Sequence, residues 1–286
     1  MTLILAFKLT HGDDEAVLVS SDSKATAAFG IAYEVKKIHP IRFKGNPVGI
    51  VSGAGDSALV KAGFKLADDI LMRYAEKEYP VSHDAFAKAS EEVSSGLLTK
   101  FNQLRGLNLE PDFRMILCSL DLSGKASIYA YDSRGLSEPV HDDPGYAIIG
   151  SGFVTGGVLL LKLLGYTPDV GLDDLALMNT FMLDNVSDVD TAVGPFVGES
   201  YLMRIEHDKG ARQIFLGALK NEALVEYKRK ASIRRDLLRM VWRASDRLGE
   251  EKVRELLNPP PEKHRSGAVA QAHRHMNKRK SRLMIS

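Results

Sequence analysis

Thr2 can become a reactive residue if Met1 is removed. Its hydroxyl and its free α-amino group would then belong to one residue, and such an amine titrates at about 7.7–8.0, so an appreciable fraction is unprotonated near neutral pH. A residue that carries both a nucleophile and a base is suited to attack on a carbonyl carbon. The sequence therefore indicates a nucleophilic threonine whose chemistry depends on the loss of Met1.

Short apolar segments predict antiparallel strand pairs that could hold this residue in place. The predicted pairs are 3–9 with 16–21, 35–43 with 47–52, 113–120 with 126–131, and 199–206 with 211–216, and a further strand covers 146–150. Helical periodicity separates them over 58–78, 84–104, 153–164 and 173–187. Because helices come in pairs between groups of strands, we expect an α+β fold of stacked sheets covered by helices, and not a Rossmann-like alternation.

The C-terminal part of the chain has a different character. Residues 220–286 hold 18 Lys and Arg against 8 Asp and Glu, whereas residues 1–219 hold 20 against 29. Apolar residues at helical spacing, flanked by arginines, predict a basic amphipathic helix over 220–257. Three prolines end it, and residues 258–286 predict a flexible basic tail. We therefore expect one domain over 1–219, followed by this helix and tail.

Composition excludes several classes of protein. The chain has 286 residues, a formal net charge of +1 and an ordinary hydrophobic fraction of 44%. Its single cysteine, Cys118, lies in an apolar run and excludes an intrachain disulfide framework, which fits a cytoplasmic protein. No segment is long and apolar enough to span a membrane, and no secretory signal is visible.

Cofactor and nucleic-acid sites are also not predicted. His273 and His275 have no cysteine or carboxylate near them, so no metal site is expected. The glycine-rich segment 53–55 lacks the residues of a phosphate-binding loop, so no cofactor is expected. The basic tail has no aromatic residue for base stacking, which makes a nucleic-acid partner a minor alternative.

Six motifs in order resemble a proteasome β-type subunit of the N-terminal nucleophile (Ntn) hydrolase superfamily over about 220 residues. They are Thr2, Ser21-Asp22-Ser23-Lys24-Ala25-Thr26, Val35-Lys36-Lys37-Ile38, Ser52-Gly53-Ala54-Gly55-Asp56, Gly150-Ser151-Gly152, and Asp190 followed by Val193-Gly194. The resemblance implies a four-layer αββα sandwich with a C-terminal helical extension. It also implies a threonine peptidase that cleaves peptides or unfolded proteins within a homo-oligomeric ring, with an ATPase regulator as a possible partner.

The resemblance assigns a role to each matching residue. Thr2 would be the nucleophile, and the α-amine or Lys37 the proton acceptor. Asp22 would orient Lys37, while Ser151 and Asp190 would hold the α-amine. A desolvated lysine near another cation has a lowered pKa, which suits it to accept a proton.

Three residues in or next to the glycine-rich segment complete the predicted site. Gly53 would supply the oxyanion donor, since glycine lets main chain approach a ligand closely. Val51 and Gly55 would flank a specificity pocket that is apolar or adaptable. The match departs at Val193, where the family often has a serine, and Asp188 is a rival to Asp190.

Two alternatives use the same fold. Connectase-like ligases of archaea also begin Met-Thr-Leu and carry a C-terminal extension, but their early motif differs from Ser21–Lys24. Such a protein would resolve the acyl-enzyme with an amine in place of water. The other alternative is an inactive family member that serves as a scaffold.

Overall fold

The structure is a computed structural model that describes residues 2–26, 32–194, 197–208 and 210–257. Within these residues the fold is mixed α+β, with two five-stranded antiparallel sheets, one two-stranded sheet and five α-helices. Contacts between Cα atoms divide the chain into two compact units, Met1–Ala218 and Leu219–Ser286. The sheets and the first four helices belong to the first unit.

The N-terminal sheet has the strand order β10-β1-β2-β11-β12, with β1 and β2 next to each other near its centre. Its strands are β1 Ile4–His11, β2 Asp14–Asp22, β10 Tyr146–Ile149, β11 Val197–Asp208 and β12 Ala211–Ala218. The first six residues of β1 are buried without alternation, as in a strand that is covered on both faces. This places the residue before β1 inside the protein.

The second sheet, called here the central sheet, has the order β5-β6-β7-β8-β9. Its strands are β5 Ile38–Phe43, β6 Asn46–Gly55, β7 Phe113–Leu120, β8 Ala126–Tyr131 and β9 Ser137–Pro139. Two short strands, β3 Lys24–Thr26 and β4 Ala32–Glu34, form a separate pair. Strand β5 pairs with β6 only as far as Ser52, so the last three residues of β6 extend beyond it.

Each of the two large sheets is contacted by its own helices. The helices are α1 Ser57–Lys77, α2 His83–Gly106, α3 Val158–Leu164 and α4 Leu172–Val189. Helices α1 and α2 pack on the central sheet, and α4 packs on β1, β2 and β11. Helix α1 begins after Asp56, whose carboxylate accepts from the backbone N–H groups of Ala58 and Leu59 at 2.8 and 3.0 Å.

One hydrophobic core is shared by both sheets. Its members come from β1 and β2 in the N-terminal sheet and from β6, β7 and β8 in the central sheet, and they include Ile4, Val17, Ile50, Ile116 and Ile128. A second core lies between the central sheet and α1 and α2. Successive side chains of a strand point to opposite faces of the sheet. Ile50 and Val51 of β6 therefore lie in different cores.

The predicted elements are present with shifted bounds, and two predictions were wrong. Lys37 precedes β5 and is not part of a strand, although the pattern placed the strand start at residue 35. The helix predicted over 153–164 is divided into a π-helical turn, Phe153–Gly157, and α3. Gly156 has a φ of 155°, a value that interrupts regular helix.

The second unit contains helix α5, Asn221–Leu257, with a change of backbone direction at Gly249, where φ is 72°. The predicted tail, residues 258–286, lies outside the described residues. The domain bounds inferred from the sequence stay a prediction. In the described part of the chain, no helix has the length and apolar character needed to cross a membrane.

Candidate active site

The pairing of β1 with β2 brings Thr2 to Asp22. Ile4 pairs with Ser21, so the residue before β1 lies beside the end of β2. Thr2 Oγ1 donates to Asp22 Oδ1 at 2.6 Å, and the backbone N–H of Leu3 donates to the same oxygen at 2.9 Å. Thr2 is only 4% exposed and Asp22 is fully buried. The hydroxyl is therefore held in one orientation by a buried carboxylate.

The carboxylate of Asp22 is hydrogen-bonded on both oxygens. Oδ2 accepts from the backbone N–H of Lys24 at 3.1 Å and from that of Gly194 at 2.9 Å. Lys24 Nζ in turn donates to the carbonyl of Thr191. Since a buried carboxylate without partners is strongly unfavourable, these contacts explain how the charge is accommodated inside the protein.

Lys37 completes this first cluster. Its Nζ donates to Asp22 Oδ1 at 2.7 Å and also contacts Thr2 Oγ1 and the carbonyl of Lys24. Burial lowers the pKa of Lys37 from its ordinary value of 10.5, and the charge of Asp22 opposes that effect only in part. The cluster thus places a hydroxyl, a carboxylate and a lysine of increased acidity in direct contact.

A residue that the sequence did not single out fixes the segment carrying Lys37. Glu199 Oε2 accepts from the backbone N–H groups of Lys37 at 3.1 Å and Ile38 at 3.3 Å. Lys37 lies just outside β5, and these two contacts take the place of strand pairing there. A glutamate on a distant strand has no motif signal, so only the fold could identify it.

The Gly150–Gly152 turn packs against the main chain of Thr2. Gly150 has a φ of 97°, and a Cβ at this position would lie 2.1 Å from the carbonyl oxygen of Thr2. The backbone N–H of Gly152 donates to that same carbonyl at 3.2 Å. Glycine is therefore required at position 150 both for conformation and for space.

The same turn contacts a second carboxylate, that of Asp190. Ser151 Oγ donates to Asp190 Oδ2 at 3.0 Å, and Thr155 Oγ1 donates to the same oxygen at 3.1 Å. The backbone N–H of Ala192 donates to Oδ1 at 3.0 Å. Thr155 was not predicted, although its spacing of four from Ser151 places both on one side of a helical turn.

The structure separates the two rival aspartates. Asp190 follows α4 directly, is 8% exposed and contacts Ser151, whereas Asp188 lies exposed on the last turn of α4. Val193, where a serine was the family expectation, is buried at 2% exposure. Position 193 therefore contributes no hydroxyl to this cluster.

An open cavity of about 890 Å³ adjoins Thr2. Its wall includes Gly55, Gly150 and Ser151, so the turn and the end of β6 both face it. Apolar and charged side chains line the rest, among them Ala54, Ala130, Ile149, Phe153, Arg114 and Glu138. The cavity is large enough for a peptide segment to approach the Thr2 hydroxyl.

Two predicted residues do not reach this cavity wall. Val51 is fully buried in the core between the central sheet and helices α1 and α2, because alternation along β6 directs it away from the other sheet. Gly53 lies where a Cβ would come within 2.7 Å of Val60 and 3.0 Å of Phe64. Its lack of a side chain therefore lets α1 pack closely on β6. Only Gly55 of the three lines the cavity.

Other chemistries find no support among the described residues. They contain no group of three or more His, Cys, Asp and Glu side chains that could hold a metal ion. Cys118 is buried in the core shared by the two sheets, and burial raises the pKa of its thiol far above the ordinary value. That thiol is therefore not a reactive group.

Comparison with known proteins identifies the fold. No family model matches the sequence, and no curated protein matches it. Solved structures of Anbu do match: that from Hyphomicrobium sp. strain MC1 has a TM-score of 0.59 and 18% identity, covering 84% of this chain and 97% of that chain. Anbu from Yersinia bercovieri, described as an ancestral beta-subunit, has a TM-score of 0.61 and 15% identity, covering 84% and 96%.

These likenesses define a class of fold. The chain has a mixed α+β fold similar to that of Anbu. At such low identity the likeness concerns the fold alone. The chemistry must therefore be argued from the residues around Thr2.

Proposed function

We propose that this protein is a threonine peptidase of the proteasome type, with Thr2 as its nucleophile. The observation that carries the proposal is the contact of Thr2 Oγ1 with both Asp22 Oδ1, at 2.6 Å, and Lys37 Nζ. A nucleophile, a base and a group that orients the base are the three parts of an activated hydroxyl. The adjoining cavity gives a peptide access to that hydroxyl.

In this mechanism Thr2 Oγ1 attacks the carbonyl carbon of the scissile peptide bond. Its proton passes to Lys37, or to the α-amine that removal of Met1 exposes. The tetrahedral intermediate then collapses, the C–N bond breaks, and the leaving amine takes up the proton. Water attacks the resulting ester in the second half of the cycle and releases the acid product, restoring the Thr2 hydroxyl.

Backbone N–H groups at the end of β6 are the proposed oxyanion donors. The sequence suggested Gly53, and Gly55 is the stronger candidate because it lines the cavity together with Thr2. Both lie beyond the last residue that β5 pairs with, so one edge of β6 is not engaged by that strand there. A donor aimed at the developing oxyanion contributes about 10²–10³ in kcat.

We further propose the assembly that the resemblance implies. The contacts of α1 and α2 with the central sheet, of α4 with the N-terminal sheet, and the core between the sheets support a four-layer αββα sandwich. On this proposal, copies of the chain form a cytoplasmic ring that encloses the cavities. An ATPase that delivers unfolded protein would then be a natural partner.

The first experiment compares Thr2→Ala with Thr2→Ser, after intact mass has shown whether Met1 is absent. Hydrolysis of a fluorogenic peptide library should fall to background in Thr2→Ala and persist in Thr2→Ser, since serine retains a hydroxyl. Thr99→Ala is a matched control, because Thr99 is an exposed threonine on α2 whose hydroxyl contacts only the backbone carbonyl of Ser95 in the described structure.

Two results would remove parts of the proposal. Full activity of Thr2→Ala would exclude Thr2 as the nucleophile. An active protein that retains Met1 would exclude the α-amine, because an acylated nitrogen does not accept a proton, and would leave Lys37 as the base.

A further inference from the structure

We propose that Thr155 is a positioning residue that fixes Asp190 for the Thr2 site. This inference rests on the proposed function and adds a residue to it. Thr155 Oγ1 and Ser151 Oγ both donate to Asp190 Oδ2, at 3.1 and 3.0 Å. The carboxylate is thereby held between two hydroxyls that belong to one turn of the chain.

The local backbone explains how two hydroxyls reach one oxygen atom. Phe153–Gly157 forms a π-helical turn, which is wider than an α-helical turn, and Gly156 breaks regular helix directly after Thr155. Thr155 Oγ1 lies 3.4 Å from the carbonyl of Ser151, which is a long hydrogen bond, so Asp190 is its closer partner. π-Turns of this kind occur frequently at functional sites.

The other surroundings of Asp190 make the contribution of Thr155 specific. Oδ1 is already engaged by the backbone N–H of Ala192 at 3.0 Å. The side chain at 193 is a buried valine, so the loop that follows Asp190 supplies no hydroxyl at that position. Thr155 therefore supplies to Asp190 a hydroxyl that position 193 does not.

Fixing Asp190 also fixes Ser151, which lines the same cavity as Thr2. With two donors on Oδ2 the carboxylate has one preferred orientation, and the Ser151 hydroxyl is directed by it. Thr155 is itself exposed, so water can replace its hydrogen bond. We therefore expect its removal to loosen the geometry of the site and to lower the stability of the fold by a small but measurable amount.

The experiment compares Thr155→Val, which has the same shape without the hydroxyl, with Thr155→Ser, which keeps it. Peptide hydrolysis by Thr155→Val should show kcat reduced roughly tenfold with KM unchanged, and Thr155→Ser should restore it. Thr99→Val is the matched control, because Thr99 makes the same contact to the carbonyl four residues earlier, at 2.9 Å, without a carboxylate.

A double-mutant cycle with Asp190→Ala, which removes the acceptor, tests the route of the effect. If Thr155 acts through Asp190, adding Thr155→Val to Asp190→Ala should change kcat less than twofold. A full tenfold loss in that background would overturn the proposal, as would a Thr155→Val enzyme as active as Thr99→Val.

Failure of the proposed function can be recognised separately. If Thr2→Ala keeps full activity, Thr2 is not the nucleophile. The double-mutant cycle at positions 155 and 190 is then measured through the midpoints of chemical denaturation instead of kcat. A measurable coupling between positions 155 and 190 supports the contact, and purely additive shifts overturn it.

Discussion

Two buried carboxylates lie near Thr2, and they are held in different ways. Asp22 is fully buried at the end of a central strand and accepts from five donors, three of which are backbone N–H groups. Asp190 lies after the end of α4 and accepts from one backbone N–H and two hydroxyls. One carboxylate is part of the sheet framework, and the other depends on side chains of a turn.

The two kinds of donor differ in how freely they can move. Backbone N–H groups cannot rotate independently of the main chain, whereas the hydroxyls of Ser151 and Thr155 rotate about single bonds. The proposed nucleophile, Thr2, is thus contacted by a carboxylate that backbone donors hold, whereas Asp190 relies mainly on side-chain hydroxyls.

The largest expected effect is that of Asp22→Asn. The amide nitrogen of asparagine cannot accept a hydrogen bond. The donors that contact one of the two carboxylate oxygens of Asp22 would therefore face another donor. Lys37 would also lose its buried partner, and breaking such a pair costs about 3 kcal/mol. We expect peptidase activity to fall at least 10³-fold and the free energy of unfolding, measured in urea, to fall by about that amount.

Asp190→Asn is the comparison that tests this contrast. Because Ser151 and Thr155 hydroxyls can reorient to accept as well as donate, the same substitution at 190 should lower the unfolding free energy by less than about 1 kcal/mol. Equal losses of stability at 22 and 190 would contradict the distinction between the two carboxylates.

The Asp22 side is also the part of the site that the sequence predicted better. Thr2, Asp22 and Lys37 come from motifs that resemble a known family, and the register of β1 with β2 then places Thr2 beside Asp22. Glu199 is absent from that prediction, since nothing in its neighbours marks it. A long-range contact across 162 positions becomes visible only in the fold.

Predictions were weaker where turn chemistry decides the geometry. The helix predicted over 153–164 concealed the π-turn that carries Thr155, because helical periodicity does not distinguish wide from regular turns. Val51 does not line the cavity for another reason. The pocket assignment came from the order of motifs, whereas alternation along β6 directs that side chain into the core facing α1 and α2.

A second, smaller effect concerns the protonation of Lys37. Its pKa lies below 10.5 because burial penalises the cation, so more of the neutral amine is present at a given pH. If the neutral amine is the base, kcat/KM should rise with pH through the lowered pKa and level off above it. Lys37→Arg, which stays charged, should lose about 10²-fold in activity.

The pH profile of Lys37→Arg distinguishes the two candidate bases. Any residual activity that still rises near the ordinary pKa of an α-amine would assign the proton transfer to the Thr2 amine. Because the unfolded chain binds more protons than the folded chain between the two pKa values of Lys37, stability should also rise with pH across that window.

The smallest expected effect distinguishes Asp190 from Asp188. Asp190→Asn should lower kcat about 10-fold, since the amide nitrogen would donate to the two hydroxyls and the side chain would no longer carry a charge. Asp188→Asn should change kcat less than twofold, because that side chain is exposed on α4 while Ser151 contacts Asp190. Measuring both in the same peptide assay controls for the general effect of removing an acidic charge. If Asp188→Asn were the more damaging variant, Asp188 and not Asp190 would be the functional carboxylate.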